Sequence, residues 1–263
     1  MKEATEPRRS RRSVQSVDRA LDLLEALAGA DGEVSITALA ARTKLHVSTV
    51  HRLLATLLRR GYVRQNPDTS RYYAGAKVAT LAEGRSRYNE LRLAARPLLQ
   101  GLVEATRETA NLSVLDDTMA VYIETAASPQ VVRLFTVVGN RVPLHATGAG
   151  KALLASLPQP RREALLDRTE LRPHTNKTLV DRASLARALD EARERGYALD
   201  DEEYDDGVRC VAVGPIGAPV AAISISGPAS RMTKQRCVEF VPQMRRAASE
   251  LSETLRARES TGT

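Results

Sequence analysis

The sequence predicts an α+β chain of two domains: a winged helix-turn-helix module, then a larger unit of antiparallel strands with flanking helices. Three observations predict it. At 263 residues the chain has room for two cores of ordinary size. Residues 14–76 hold three short helical periods and then two brief strand patterns, whereas residues 109–228 alternate strand and helix patterns with hairpin-like returns. Charge divides the same way: residues 1–90 carry 16 Lys and Arg against 10 Asp and Glu, and residues 91–263 carry 23 against 22, so the positive field belongs to the first module.

Residues 1–13, with Arg8, Arg9, Arg11 and Arg12, cannot bury apolar area and predict a disordered basic arm, either inert or a supplementary phosphate or minor-groove contact. No apolar segment follows these arginines, so a cytoplasmic location is expected and a signal peptide is not. No run approaches the roughly 18 apolar residues of a membrane span. Ser16 is a fair N-cap for a helix in which Val17, Ala20, Leu21, Leu24, Leu27 and Ala28 keep a helical period, stopped by Gly29 and Asp31-Gly32. Ser35 caps a second helix with Ile36, Leu39 and Ala40 inward.

The third helix carries the argument for function. Val50, Leu53, Leu54, Leu57 and Leu58 form one apolar stripe. The opposite face is left to Ser48, Arg52, Thr56 and Arg59, with Thr49 and His51 at its margins, the hydrogen-bonding kit for base edges and phosphates. Gly61 ends the helix. Tyr62–Gln65 and Arg71–Tyr73 read as strands joined by the turn formers of residues 66–70, placing Arg64 and Arg71 on the two arms of a wing. Residues 42–71 hold seven basic side chains and one acid. A solvated basic face explains that charge alone equally well; the helix and hairpin around it point to DNA. With seven Tyr, two Phe and no Trp, stacking platforms for single strands are scarce, and double-stranded DNA is the expected partner.

A helical pattern runs from Lys77 to about Arg107, broken at Gly84, with Pro97 predicting a kink or a fresh start. This puts a linker over residues 77–90 and a second domain over 91–257. There TANLSVLDD, AVYIET, VVRLF and RVPLHA read as strands, GAGKALLASL and SLARALDEARERG as helices, YALD, GVRCVAVGPIG and PVAAISISGP as strands again, and Thr233–Ala257 as a closing helix.

Several groups in this domain could bind a ligand, each with a plainer alternative. Thr147-Gly148-Ala149-Gly150 opens a helix whose free N–H groups suit a small anion, or else the glycines serve a tight turn through φ alone. Lys151 is followed by Ala152, which excludes a phosphate-binding P-loop. The acids Asp200, Asp201, Glu202, Glu203, Asp205 and Asp206 usually mean a solvated loop, and their spacing fits no EF-hand. Ser224 and Ser226 share one face of a strand. Val131 and Val142 are either an apolar pocket wall or ordinary core. Cys210 and Cys237, the only cysteines, lie in no metal-ligand spacing, and no nucleophile, base or cofactor motif emerges, so no metal, cofactor or catalysis is expected.

SVDRALDLLEALA, then SITALAARTKLHVSTVHRLLATLLRRGYV and YYAG, resembles the N-terminal domain of the IclR family of bacterial transcriptional regulators, Ser48–Leu54 being the specific part. HATGAGKA, DDEEYDDGVRCVAV and ISISGP extend the resemblance from residue 14 to about 255. It implies a GAF-like effector-binding domain and a linker helix that helps pair two chains, as a homodimer or dimer of dimers on a palindromic operator. It also implies that Gly148, Ala149, Gly150, Asp200, Val208, Cys210, Ser224 and Ser226 surround the effector. Two departures stand out. Lys44-Leu45-His46 replaces the usual Gly-Leu-Pro, straining or loosening the turn before the third helix, and the span from Cys210 to Ser224 is short. The expected function is a ligand-responsive regulator, most often a repressor in such families, whose effector is an organic acid. The alternatives are an enzyme with a fused winged helix and a constitutive architectural DNA protein.

Overall fold

The computed structural model describes residues 14–30, 32–83, 87–216 and 220–261. The basic arm, Asp31 and the break at Gly84 lie outside them. The chain divides into two compact units between Ser86 and Arg87.

In the first unit, α1 (Gln15–Ala28), α2 (Ile36–Thr43) and α3 (Val47–Arg59) precede a hairpin of β1 (Val63–Gln65) and β2 (Tyr72–Ala74), followed by α4 (Ala76–Glu83). Leu23, Leu27, Leu39, Val50, Leu54, Leu57, Val63 and Tyr72 form its core. Ser35 accepts a hydrogen bond from Ala38 N at 3.2 Å and caps α2 as its sequence predicts. α1 departs from expectation. It starts at Gln15 behind Val14 with no side-chain cap, so Ser16 is not the N-cap. Val17 and Leu21 remain half exposed while Leu23 and Leu27 turn inward. Both apolar stripes have helical spacing, and only the neighbouring helices decide which is buried.

The turn before α3 absorbs the two unusual residues. Lys44 closes α2 in the left-handed region at φ 53°, where glycine is normally favoured. His46 takes φ −66° and caps α3, its Nδ1 accepting from Ser48 N at 3.4 Å and lying 2.8 Å from Ser48 Oγ. Gly61, at φ 80°, follows the last turn of α3. In the wing, Arg64 pairs with Tyr73 across the ladder and Arg71 lies one residue before β2. Glu33 holds the loop tip through Asn66 Nδ2 at 2.6 Å and Thr69 Oγ1 at 2.7 Å.

The second unit begins with α5 (Arg87–Thr106), one unbroken helix through Pro97. It continues through β3 (Thr109–Asp116), β4 (Met119–Ala126), β5 (Arg141–Pro143), α6 (Gly148–Ala155), α7 (Gln159–Leu166), α8 (Arg182–Arg195), β6 (Ala198–Asp201), β7 (Val208–Ile216), β8 (Ala221–Pro228) and α9 (Lys234–Thr261). The six strands form one antiparallel sheet in the order β5-β4-β3-β8-β7-β6. One face, with Leu112, Val114, Val211, Val213, Ile223 and Ile225, packs on α5 and α9. The other, with Tyr122, Ala198, Ala212 and Ala222, meets α6 and α8.

VVRLF is not a strand, and Val131, Val132 and Phe135 are exposed at 95%, 68% and 78%. Its carbonyls are taken by side chains instead of a ladder. Leu134 O accepts from Thr109 Oγ1 at 3.2 Å, and Val132 O from Arg231 Nη2 at 2.8 Å. The short helix α7, led by Pro160 in its first turn, has no counterpart in the sequence reading.

Replacing Lys44 by Gly removes the left-handed penalty but frees the unfolded chain. The net expectation is a gain of about 0.5 to 1 kcal/mol in the unfolding free energy of the first unit, read by urea denaturation. An unchanged or lower midpoint contradicts strain at this turn.

Candidate functional site

On α3 the stripe Val50, Leu54 and Leu57 is buried and the opposite face is open. Ser48, His51, Arg52, Thr56 and Arg59 are exposed and Thr49 is half-buried, and Arg64 and Arg71 are exposed on the wing. Among the described residues the guanidiniums of Arg52, Arg59 and Arg64 make no hydrogen bond or ion pair. Five free donors on each fork are what phosphate oxygens and guanine edges accept from. Two hydroxyls of this face are engaged, that of Ser48 with the capping ring of His46 and that of Thr56 with the Arg52 carbonyl.

In the second unit the antiparallel register assembles a polar patch on the α6 face of the sheet. Asp200 pairs with Cys210, Cys210 with Ser226, and Ser226 with Thr109. In the next row Ala212 pairs with Ser224 and Ser224 with Asn111. Cross-strand partners share a face, so these side chains stand together. Over them lies a cavity of about 130 Å³ lined by Tyr122, Leu134, Phe135, Thr136, Asn140, Arg141, Val142, Thr147, Asp200, Tyr204, Asp205, Val208, Cys210 and Ser226. Beneath it, Ser224 Oγ, Ser226 Oγ and Asn111 Nδ2 are buried without a hydrogen-bond partner. The Cys210 thiol lies near both serines, a weak partner at best. With Ser113 Oγ in the next row, four unmet polar atoms stand on one face, unusual in a protein interior and the mark of a place prepared for something polar.

α6 presents its first turn to the same region. Thr147 caps it, accepting from Gly150 N at 3.1 Å, while the amides of Gly148 and Ala149 have no acceptor among the described residues. The glycines are not needed for φ. Neither has a positive φ; a Cβ on Gly148 would lie 2.9 Å from Cys210 Sγ, and one on Gly150 2.4 Å from Leu144 Cα. They let the helix approach the sheet.

The acidic run is not simply solvated. Asp201 meets Arg209 Nε at 2.7 Å and Lys234 Nζ at 2.6 Å, and Glu202 meets Lys177 Nζ at 2.7 Å. Glu203 is buried in an ion pair with Lys151 of α6. Asp200 is 2% exposed and accepts from Glu203 N at 2.8 Å. Burial pushes its carboxyl up to about 7, against the nearby charge of Lys151. Burial likewise raises the Tyr122 phenol and pushes the Cys210 thiol up to about 12. Asp205 and Asp206 face solvent.

The sequence-derived residues therefore divide. Asp200, Val208, Cys210, Ser226 and Val142 line the cavity, Ser224 lies buried behind it, and Gly148, Ala149 and Gly150 set the helix beside it. Val131 does not belong, because its segment runs outside the sheet into solvent. Sequence reasoning missed Tyr122, Thr136, Asn111 and the Lys151–Glu203 pair. The period-2 pattern of AVYIET, and a lone amide within TANLSVL, were the signals for Tyr122 and Asn111. Among the described residues no three His, Cys, Asp or Glu side chains are grouped to hold a metal ion, and no helix is long and apolar enough to cross a membrane.

Comparison with known proteins adds the context. The family model for the IclR helix-turn-helix domain matches residues 16–67, and that for the bacterial transcriptional regulator IclR C-terminal domain matches residues 87–253. Transcriptional repressor IclR of Escherichia coli is 39% identical over 244 residues, covering 91% of this chain and 89% of that protein. The regulator BhcR of Paracoccus denitrificans is 38% identical, covering 95% and 90%. Among solved structures, Thermotoga maritima IclR superposes with a TM-score of 0.74 at 30% identity, covering 92% of this chain and 98% of that one. An IclR homolog from Microbacterium hydrocarbonoxydans complexed with 4-hydroxybenzoate gives 0.73 at 25% identity, covering 92% and 99%.

The raised carboxyl of Asp200 carries a pH signature. A group near 3.8 when unfolded and about 7 when folded takes up a proton on folding between those values. Its contribution therefore falls as pH rises from about 4 to about 7, with the full penalty standing above that. Asp200→Asn keeps the acceptor for Glu203 N and discards the charge. It should raise the unfolding free energy of the second unit by about 2 to 4 kcal/mol near pH 8 and by almost nothing near pH 4. Equal gains at both would contradict burial as the cause.

Proposed function

The chain belongs to the IclR family of bacterial transcriptional regulators, and from that premise we propose how its two units divide the work. It is a ligand-responsive DNA-binding regulator, with a helix-turn-helix unit and an effector-binding unit. In our reading α3 enters a major groove, Arg52 and Thr49 reaching base edges while Ser48, His51, Thr56 and Arg59 meet bases or backbone. Arg64 and Arg71 on the wing take flanking phosphates. Two chains acting as a homodimer, or a dimer of dimers, would read a palindromic operator, with repression as the output that relatives named repressors support.

The effector unit is proposed to hold a small organic acid in the polar cavity. The observation that carries this is the set of unpaired buried atoms, Ser224 Oγ, Ser226 Oγ and Asn111 Nδ2, beside the open amides of Gly148 and Ala149. Such donors suit a carboxylate, and Asp200, near neutrality by burial, can donate or accept. The related structure holding 4-hydroxybenzoate supports an acid of this kind. Binding rather than turnover fits the groups present, because a Cys210 thiol held at about 12 is a poor nucleophile. An effector that prefers one of two arrangements by about 1 to 3 kcal/mol changes operator affinity roughly 5- to 150-fold.

Arg52→Ala should weaken operator binding by about 5- to 150-fold, the worth of one bidentate base contact, with a much smaller loss on random duplex. Equal losses on both would remove base readout by this residue. For the effector, a thermal-shift screen of small organic acids on the full chain should find one that raises Tm, and Ser226→Ala should weaken that response while leaving ligand-free operator affinity unchanged. Failure of every acid to stabilise the protein would overturn the carboxylate assignment.

A further inference from the structure

A second hollow, of about 410 Å³, adjoins the effector cavity across Arg141 and Tyr204, which line both. Its floor is His145, 1% exposed. The His145 Nε2 lies 2.9 Å from the Arg172 carbonyl. A carbonyl can only accept, so Nε2 carries the proton and Nδ1 presents a lone pair. That Nδ1 is buried without a partner, and burial holds the ring's affinity for a second proton below the ordinary range. The atom calls for a hydrogen-bond donor.

The charge around it calls for an anion. Three guanidiniums, of Arg141, Arg168 and Arg172, line the hollow against one carboxylate, Glu170. Arg168 and Arg172 are 62% and 71% exposed and pair with Asp117 and Glu170, and Arg141 pairs with Asp116, exposed ion pairs of a kind too weak to withhold the remaining donors. A cation would find no free carboxylate here, since Asp116, Asp117 and Glu170 are each engaged by an arginine, and an anion lacking a proton would leave His145 unmet.

We propose that this hollow is a second ligand site, selective for a small oxyanion that also carries a hydroxyl, with the oxygens on Arg168 and Arg172 and the hydroxyl donated to His145 Nδ1. The site adjoins the organic-acid cavity without including its serines, and its ring wall continues from His145 to His174 at 5.7 Å and from His174 to Tyr204 at 5.0 Å between centroids.

Inorganic phosphate and sulfate separate the two requirements, because near neutral pH they match in size and only phosphate retains a hydroxyl. The readout must be local, since the arginines of the first unit also attract anions. Imidazole nitrogen resonances of the four histidines in the full chain supply it. Phosphate should shift His145 saturably, about tenfold more tightly than sulfate, the worth of one hydrogen bond to a charged ligand. His46 and His51, in the other unit, should respond alike to both ions. His145→Phe should erase the preference. Should that buried variant fail to fold, the double variant Arg168→Ala with Arg172→Ala, changed only at exposed side chains, should weaken phosphate at His145 by about tenfold or more. No saturable shift at His145, equal affinity for the two ions, or an unaffected double variant would each overturn the proposal and leave solvent as the only occupant.

Discussion

The second unit depends on one buried ion pair, Lys151 of α6 against Glu203 of the acidic turn. Lys151 is 3% exposed and Glu203 8%, so neither charge could stay buried alone without a penalty of several kcal/mol. Their attraction locks α6 to the connection between β6 and β7. The same turn brings Glu203 N onto Asp200. With Lys151 committed to Glu203, Asp200 has no close cation of its own, and its carboxyl sits near neutrality in the cavity wall. Asp201 and Glu202 are bracketed from outside by Arg209, Lys234 and Lys177, while Asp205 and Asp206 face solvent. The first four of the six acids are thereby converted from a repelling run into a frame.

The sheet separates stability from recognition by face. Toward α5 and α9 it is mainly apolar, with Glu124 paired to Arg92 and Arg96 of α5, and that face supplies the larger core. Toward α6 the same strands alternate to Thr109, Asn111, Ser113, Ser224 and Ser226, all buried. Backbone groups there are satisfied by the ladders, so the unmet hydrogen-bonding capacity resides in side chains alone. A ligand can satisfy them without disturbing the sheet.

Periodic patterns and local chemistry were legible in the sequence. The α3 stripe, the Ser35 cap, the end of α3 at Gly61 and nine of the strand and helix patterns of the second unit reflect interactions within a few residues of each other. What was not legible depended on distant partners. α1 carries two apolar stripes, and only packing against α2 and α3 selects Leu23 and Leu27 over Val17 and Leu21. VVRLF has every local mark of a strand but finds side chains where a ladder would be. Gly148 and Gly150 looked like turn residues because their real neighbours, Cys210 and Leu144, were not visible in the local pattern. The cavity followed the same rule. Asp200, Cys210 and Ser226 could be placed by the family resemblance, whereas Asn111 joins them only through the pairing of β3 with β8.

Those two glycines fix more than a helix position. Because α6 rests on Cys210 and Leu144 with no methyl group's width to spare, the depth available above Ser226 is determined by backbone-to-backbone separation. Side chains at the rim can alter which chemical groups an occupant is offered. They cannot readily alter its thickness. Tailoring such a receptor to bulkier molecules would therefore require re-seating an entire helix, whereas exchanging one flat, slender metabolite for another needs only a change of lining.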